Sequence, residues 1–111
     1  MREKSFGELL RAALALHADT AIATLAILRD ECMSHGRTAD ALICIAEAGI
    51  VAIRRDEPSR AAQLRPHLDL AIAFAEMGRV DDAVATLRTA IVESDEWEIL
   101  QVLARPLLSS K

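Results

Sequence analysis

The chain has 111 residues, a formal net charge of −4 and a pI near 5.3, which leaves room for one core only and excludes a phosphate-binding surface built on clustered Lys and Arg. Hydrophobic residues make up 52% and aromatics only 3%, with no Tyr, so the core must be made of Ala, Leu, Ile and Val. Four Gly and three Pro among long runs of good helix formers exclude a sheet and make the fold class all-α.

Ser5-Phe6-Gly7-Glu8 has the form of a capping box and starts a helix over residues 5–17. The start Met1-Arg2-Glu3-Lys4, with Leu9-Leu10 and Ala12 to Leu16 after it, has the outline of a secretory leader. Glu8 and Arg11 interrupt the apolar stretch such a leader needs, so the expected location is cytoplasmic. Asp19-Thr20 can cap a second helix that carries Ile22, Leu25, Ala26, Leu28 and Cys32 and stops at Gly36, with one continuous helix through both segments as the alternative. Thr38 then caps a third helix that ends near Asp56, because Pro58 disfavours helical geometry at Glu57. Its run from Ala41 to Ile53 is thirteen residues broken only by Glu47. That falls short of the roughly 20 residues that span a bilayer, so no membrane partner is expected.

Ser59 can cap a fourth segment, with a kink or break near Arg65 because the Pro66 ring would clash with the carbonyl four residues earlier. The stretch from His67 to Met77 then forms the first helix of a second hairpin. A fifth helix runs from Asp81 to about Ser94, with Val80, Ala83, Val84, Leu87, Ala90 and Ile91 on one stripe and Asp81-Asp82 at its positive end. Asp95 with Glu98 offers a second capping box for a last helix over 95–105 that bears Ile99, Leu100, Val102 and Leu103 and ends at Pro106.

Gly36-Arg37-Thr38-Ala39-Asp40-Ala41-Leu42 and Gly78-Arg79-Val80-Asp81-Asp82-Ala83-Val84 lie 42 residues apart and sit between apolar helical patterns, as the turns of a repeated helix hairpin would. In the second copy Leu70-Ala71, Phe74, Gly78, Ala83, Leu87 and Ala90-Ile91 give one amphipathic helix, a Gly turn and a second helix with small residues at its contact face. This pattern resembles a tetratricopeptide repeat, and the long spacing resembles the repeats of kinesin light chains and of large LuxR-type bacterial regulators. Leu28, Gly36, Ala41 and Ala48 fit in the first copy, where Arg29 and Cys32 depart from the small and aromatic residues the family prefers. The resemblance implies a right-handed superhelix of two hairpins, residues 20–56 and 59–94, flanked by capping helices 5–17 and 95–105 in one domain spanning 1–111. A generic helical bundle with similar hairpins is the alternative.

Function follows from what the resemblance implies. The first helix of each hairpin would line a concave groove through Ala23, Ala26, Asp30 and Met33 in the first repeat and Arg65, Leu68, Ile72, Ala75 and Glu76 in the second. Such a surface suits a hydrophobic or amphipathic helix of a partner protein, as in an adaptor or a small secretion chaperone. A carboxylate clamp is disfavoured because the chain has no Asn. A homodimeric regulatory scaffold is the alternative, since two repeats are fewer than usually stand alone.

No phosphate loop, nucleophile elbow or triad can be assembled, so neither an enzyme nor a cofactor is expected. Cys32-x-x-His35 is a single pair, short of the four ligands of a structural zinc. Cys32 and Cys44 could approach across the hairpin, which makes a thiol or metal sensor using Cys32, His35 and Cys44 the reading from another class. Arg54-Arg55 is read as favourable charge at a helix C-terminus rather than a nucleic-acid contact. Glu47 is expected to reach solvent through a gap between helices, or otherwise to pair with a group such as Arg29.

Overall fold

The helix Thr38–Asp56 is the centre of the molecule because its sequence leaves it almost no polar side. From Ala41 to Ile53 every residue is buried except Glu47 and Val51. A helix apolar nearly all round needs neighbours nearly all round. The computed structural model describes residues 5–95 and 97–108, so the leader-like start at residues 1–4 lies outside the described residues. Within them the chain forms six α-helices and one 3-10 turn, with no strand. These are α1 Phe6–Leu14, α2 Ala18–Ser34, α3 Thr38–Asp56, the turn Pro58–Arg60, α4 Ala61–Glu76, α5 Val80–Glu93 and α6 Glu98–Leu108. Helices α2, α4, α5 and α6 all pack on α3, α4 pairs with α5, α6 also touches α5, and α1 lies along α2.

The two Gly turns are built alike, down to the atoms. Gly36 and Gly78 take φ of 72° and 77°, a left-handed conformation that is costly for a residue with a Cβ. In the first turn Arg37 N–H donates to Cys32 O at 2.8 Å and Gly36 N–H to Met33 O at 3.1 Å; in the second Arg79 N–H donates to Phe74 O at 2.9 Å and Gly78 N–H to Ala75 O at 3.0 Å. These pairs are the two bonds of a Schellman motif, which satisfies carbonyls left open at a helix end. After each glycine an arginine precedes the next helix and bonds an aspartate three residues on, Arg37 to Asp40 at 2.6 Å and Arg79 to Asp82 at 2.6 Å. The same arginines lie over aromatic rings, Arg37 over Phe6 and Arg79 over Phe74. Ala41 and Ala83 follow, both fully buried where their small size lets the paired helices approach.

Several expected caps and breaks fall elsewhere. The Ser5 and Glu8 capping box is present, with Glu8 N–H donating to Ser5 Oγ at 3.2 Å and Ser5 N–H to Glu8 Oε1 at 2.8 Å. Helix α1 nevertheless stops at Leu14, and α2 starts at Ala18 with His17 as its N-cap, ahead of Asp19-Thr20. The chain is therefore broken between the two rather than continuous. Thr38 is the first residue of α3 and makes no cap; Arg37 occupies that position. Ser59 lies inside the 3-10 turn and also makes no cap.

Pro66 does not break α4, which runs unbroken from Ala61 to Glu76. The carbonyl its missing N–H leaves over belongs to Ala62, which is exposed and open to water, while Leu64, Leu68, Ala71 and Ala75 hold the helix by burial. The start of α4 is also tied to the end of α5, where Arg60 Nη1 donates to Ser94 O at 2.7 Å and Gln63 Nε2 to Glu93 O at 3.0 Å. Pro106 likewise lies within α6, which extends to Leu108. Asp95 has φ 58° and so cannot be an N-cap, which needs extended backbone. The buried Ser94, the C-cap of α5, ties the approach to α6 instead, its hydroxyl accepting from Trp97 N–H at 3.2 Å while donating to Ile91 O at 2.7 Å.

Helix α6 folds back over the first hairpin. Leu100 is fully buried and lies beside Gly49 of α3, opposite Leu68 of α4. Arg29 Nη1 of α2 donates to Leu103 O at 2.9 Å across 74 residues of sequence.

Candidate partner-binding surfaces

The return of α6 creates a cleft between it and α2. Its walls are Ile22, Ala23 and Ala26 on one side and Ile99, Val102 and Leu103 on the other, with Arg29 and Glu98 also lining it, and its volume is about 320 Å³. The alanines keep the α2 wall low, which is why a space remains between two packed helices. Arg29 links the two walls: its side chain is 12% exposed and divides its donors between Asp30 Oδ1 at 2.9 Å and the Leu103 carbonyl. Glu47 therefore does not take Arg29 as a partner. One turn along α2 from Ala23, Ile27 is 70% exposed, and Val102 on the opposite wall is 44% exposed. Val102 belongs to the cleft itself, whereas Ile27 lies outside its lining.

A second pocket, about 400 Å³, opens where α1 ends. Leu14, Leu16, Ala18 and Ala21 line it together with Glu47, Val51, Arg54 and Arg55 of α3. Glu47 reaches this space through a gap in the helix packing and is only partly buried. Burial raises its carboxyl pKa, the Arg65 charge opposes that rise, Asp69 adds to it, and smaller opposing effects come from Arg54 and Glu76. Among the described residues Glu47 makes no hydrogen bond and no ion pair. The neighbouring Arg55 is committed elsewhere, to Asp56 at 2.6 Å and to Asp19 of α2.

The two cysteines lie in the paired helices of the first hairpin, both buried and near enough to influence each other's ionisation. Burial pushes the Cys32 thiol up, and it drives Cys44 up to about 12. Both are held as thiols rather than thiolates at neutral pH, and the thiolate is the form that attacks oxidants and binds metals. His35 points away, its Nδ1 lying 2.9 Å from the Glu31 carbonyl. Among the described residues no three His, Cys, Asp or Glu side chains come together as a metal site.

The residues expected to line one groove are distributed over three environments. Ala23 and Ala26 line the α2–α6 cleft. Leu68 and Ala75 lie in the core, because α4 turns that face onto α3, and so they present nothing to a partner. Arg65 and Glu76 bear on Glu47 from α4, with Arg65 held by Asp69 at 3.3 Å. Ile72 packs against the core partly buried, Asp30 is held by Arg29, and Met33 is partly buried. Sequence reasoning missed Glu98, Ile99 and Val102 as surface residues. The signal was available: Ile99 and Val102 are three apart, on a second apolar stripe beside the buried Leu100, Leu103 and Ala104. No helix of the described residues is long and apolar enough to cross a membrane. Compared with protein-family models, with curated proteins and with solved structures, the chain matches none of them.

Proposed function

We propose that this chain is a non-catalytic protein-interaction module that receives a hydrophobic or amphipathic helical segment of a partner protein in the α2–α6 cleft. The observation that carries the reading is the exposed Val102 in an apolar space walled by Ile22, Ala23, Ala26 and Ile99. A helix laid there would bury its anchors against preformed walls, the economical way to bind an amphipathic segment. The repeated hairpin turn supports the same class of work, since two tetratricopeptide-like hairpins arranged as a short superhelix are a scaffold for partners. An adaptor or a small secretion-chaperone-like role fits this reading, in the cytoplasm and without a cofactor. A thiol-sensor role is less well supported, because burial holds both cysteines protonated.

The test is a selection of helical peptides from a display library against the whole chain, followed by titration against the wild type and Val102→Glu. Selected peptides should be amphipathic, shift the methyl resonances of Ile22, Ile99 and Val102, and lose about tenfold or more in affinity to Val102→Glu, as central contacts do. Peptides that bind both proteins equally would remove the cleft from the reading.

A second reading, a homodimeric regulatory scaffold, draws on the exposed Ile27. Light scattering over a range of concentrations separates the two. A dimer that Ile27→Glu converts to monomer would put a second copy of the chain on this face.

A further inference from the structure

We propose that the pocket at the end of α1 is a recognition site for a lysine side chain of the partner, with its alkyl stem against Leu14, Leu16 and Val51 and its ammonium on the Glu47 carboxylate. The interaction-module reading supplies only the source of the ammonium, a partner's lysine; the pocket is remote in chemistry from the α2–α6 cleft and is tested separately.

The argument begins with an acid in the wrong place. Glu47 is the single charged residue in the stretch Ala41–Ile53, on the helix that organises the core. A carboxylate so placed carries a desolvation penalty, and residues of this kind normally find a partner. Glu47 has none among the described residues, although Arg65 and Arg54 are both close enough to influence it. Arg65 is engaged by Asp69, and Arg55 by Asp56 and Asp19. The carboxylate therefore keeps its acceptor capacity and faces a space of about 400 Å³.

The walls select among cations. Leu14, Leu16 and Val51 offer apolar surface above the acid, which suits the four-carbon stem of lysine, a group that lies along apolar surface while its head seeks charge. A compact ammonium needs one acceptor, whereas a planar guanidinium is suited to bidentate partners that Glu47 alone would have to supply. The lining carries one acid, Glu47, and two bases, Arg54 and Arg55; Asp19 and Asp56 answer Arg55, which leaves Arg54 as the like charge an entering ammonium meets.

The experiment is a methyl-NMR titration of the full chain with n-pentylammonium chloride, a mimic of the lysine side chain, alongside neutral pentan-1-ol. The ammonium should shift Leu14, Leu16 and Val51 saturably and bind about fivefold more tightly than the alcohol, the scale of a partly exposed charge pair. Glu47→Gln should abolish the preference and leave alcohol binding intact, with the circular dichroism spectrum reporting that the fold is kept. Arg54→Ala should strengthen ammonium binding about twofold by removing a like charge. Equal affinities for the two probes, a preference that survives Glu47→Gln, or no saturable shift with either probe would overturn the site. Tighter binding of 1,5-diaminopentane than of pentylammonium would overturn the lysine assignment, because a second ammonium at the rim meets Arg54 and helps only a free diamine.

Discussion

Gly49→Ala tests the packing of α3 directly, because helix propensity and side-chain packing pull in opposite directions at this one position. Gly49 is buried in the middle of α3, where replacing Gly by Ala gains about 1 kcal/mol from propensity alone. A Cβ there would lie 3.2 Å from Leu100 Cδ1 and 3.2 Å from Leu68 Cδ1. Carbon contacts are most favourable at about 3.5–4.0 Å, so both methyls must retreat by a few tenths of an ångström. Leu68 and Leu100 are each 0% exposed and belong to different helices, α4 and α6, so no one rotamer change relieves both contacts. Overpacking of this kind costs about 1–3 kcal/mol, which leaves a net destabilisation of about 1 kcal/mol or a loss of about 4 °C in Tm. Urea unfolding at 25 °C followed by circular dichroism, with the m-value compared to confirm that only stability has changed, measures it. Gly7→Ala is the internal control. Its new Cβ would meet only the Arg11 guanidinium at 3.7 Å and the Ser5 hydroxyl at 4.0 Å, so propensity should win and stabilise by about 0.5 kcal/mol. If Gly49→Ala stabilised as much as Gly7→Ala or more, α4 and α6 would not converge on α3 as described.

Gly36→Ala and Gly78→Ala should each cost about 1 kcal/mol, and equally within about 0.5 kcal/mol, because both glycines have positive φ with open space around them, so only backbone strain is measured. Unequal costs in thermal or urea unfolding would mean that the two hairpin turns are not equivalent. Glu47→Gln should stabilise the protein at pH 7 by less than about 1 kcal/mol after solvent screening. The Glu47 pKa is raised in the folded state, so its contribution is fully present below the unfolded value near 4.3 and is lost as pH rises through the folded value. Wild type and variant should therefore converge in Tm at acid pH, and a gap that widens on acidification would reverse the sign. Alkylation of Cys32 and Cys44 by iodoacetamide at pH 7.5 should be slower in the native protein than in urea by about a hundredfold or more, since each is buried with a raised pKa. Rapid native labelling, followed by mass spectrometry, would restore the cysteines as a reactive pair.

What the sequence disclosed was local. The Schellman turns at Gly36 and Gly78 were legible because the glycine, the arginine after it and the aspartate three residues further on act within one turn of chain. The same holds for the capping box at Ser5. The prolines misled for a related reason: a proline's cost is local, but whether a helix survives it is decided by burial elsewhere. Pro66 sits on an exposed face of α4 whose other side buries Leu64, Leu68, Ala71 and Ala75, and the helix holds. The expected groove fared differently again. Its α2 and α4 halves were assigned by repeat position, yet Leu68 and Ala75 are core residues, because α3 is apolar enough to claim the face of α4 that a groove would have used.

The α2–α6 cleft depends on a contact no short-range pattern encodes. Arg29 was conspicuous in the sequence for occupying a position where the repeat prefers a small residue. In the structure that exception is what reaches the Leu103 carbonyl and holds α6 across the first hairpin. Leu103 lies within α6, ahead of its last turn, and Arg29, with only 12% of its side chain exposed, adds a charged donor to that carbonyl from α2. The residue that departs from the expected pattern is thus also the one that ties α6 to α2 beside the cleft. Arg29→Ala should loosen α6 before it unfolds the molecule, and amide exchange is the measurement: α6 should lose protection selectively while α3 keeps it. Loss of protection spread evenly over α3 and α6 would mean that α6 belongs to the core's cooperative unit, and the cleft would then be a rigid feature rather than one that Arg29 sets.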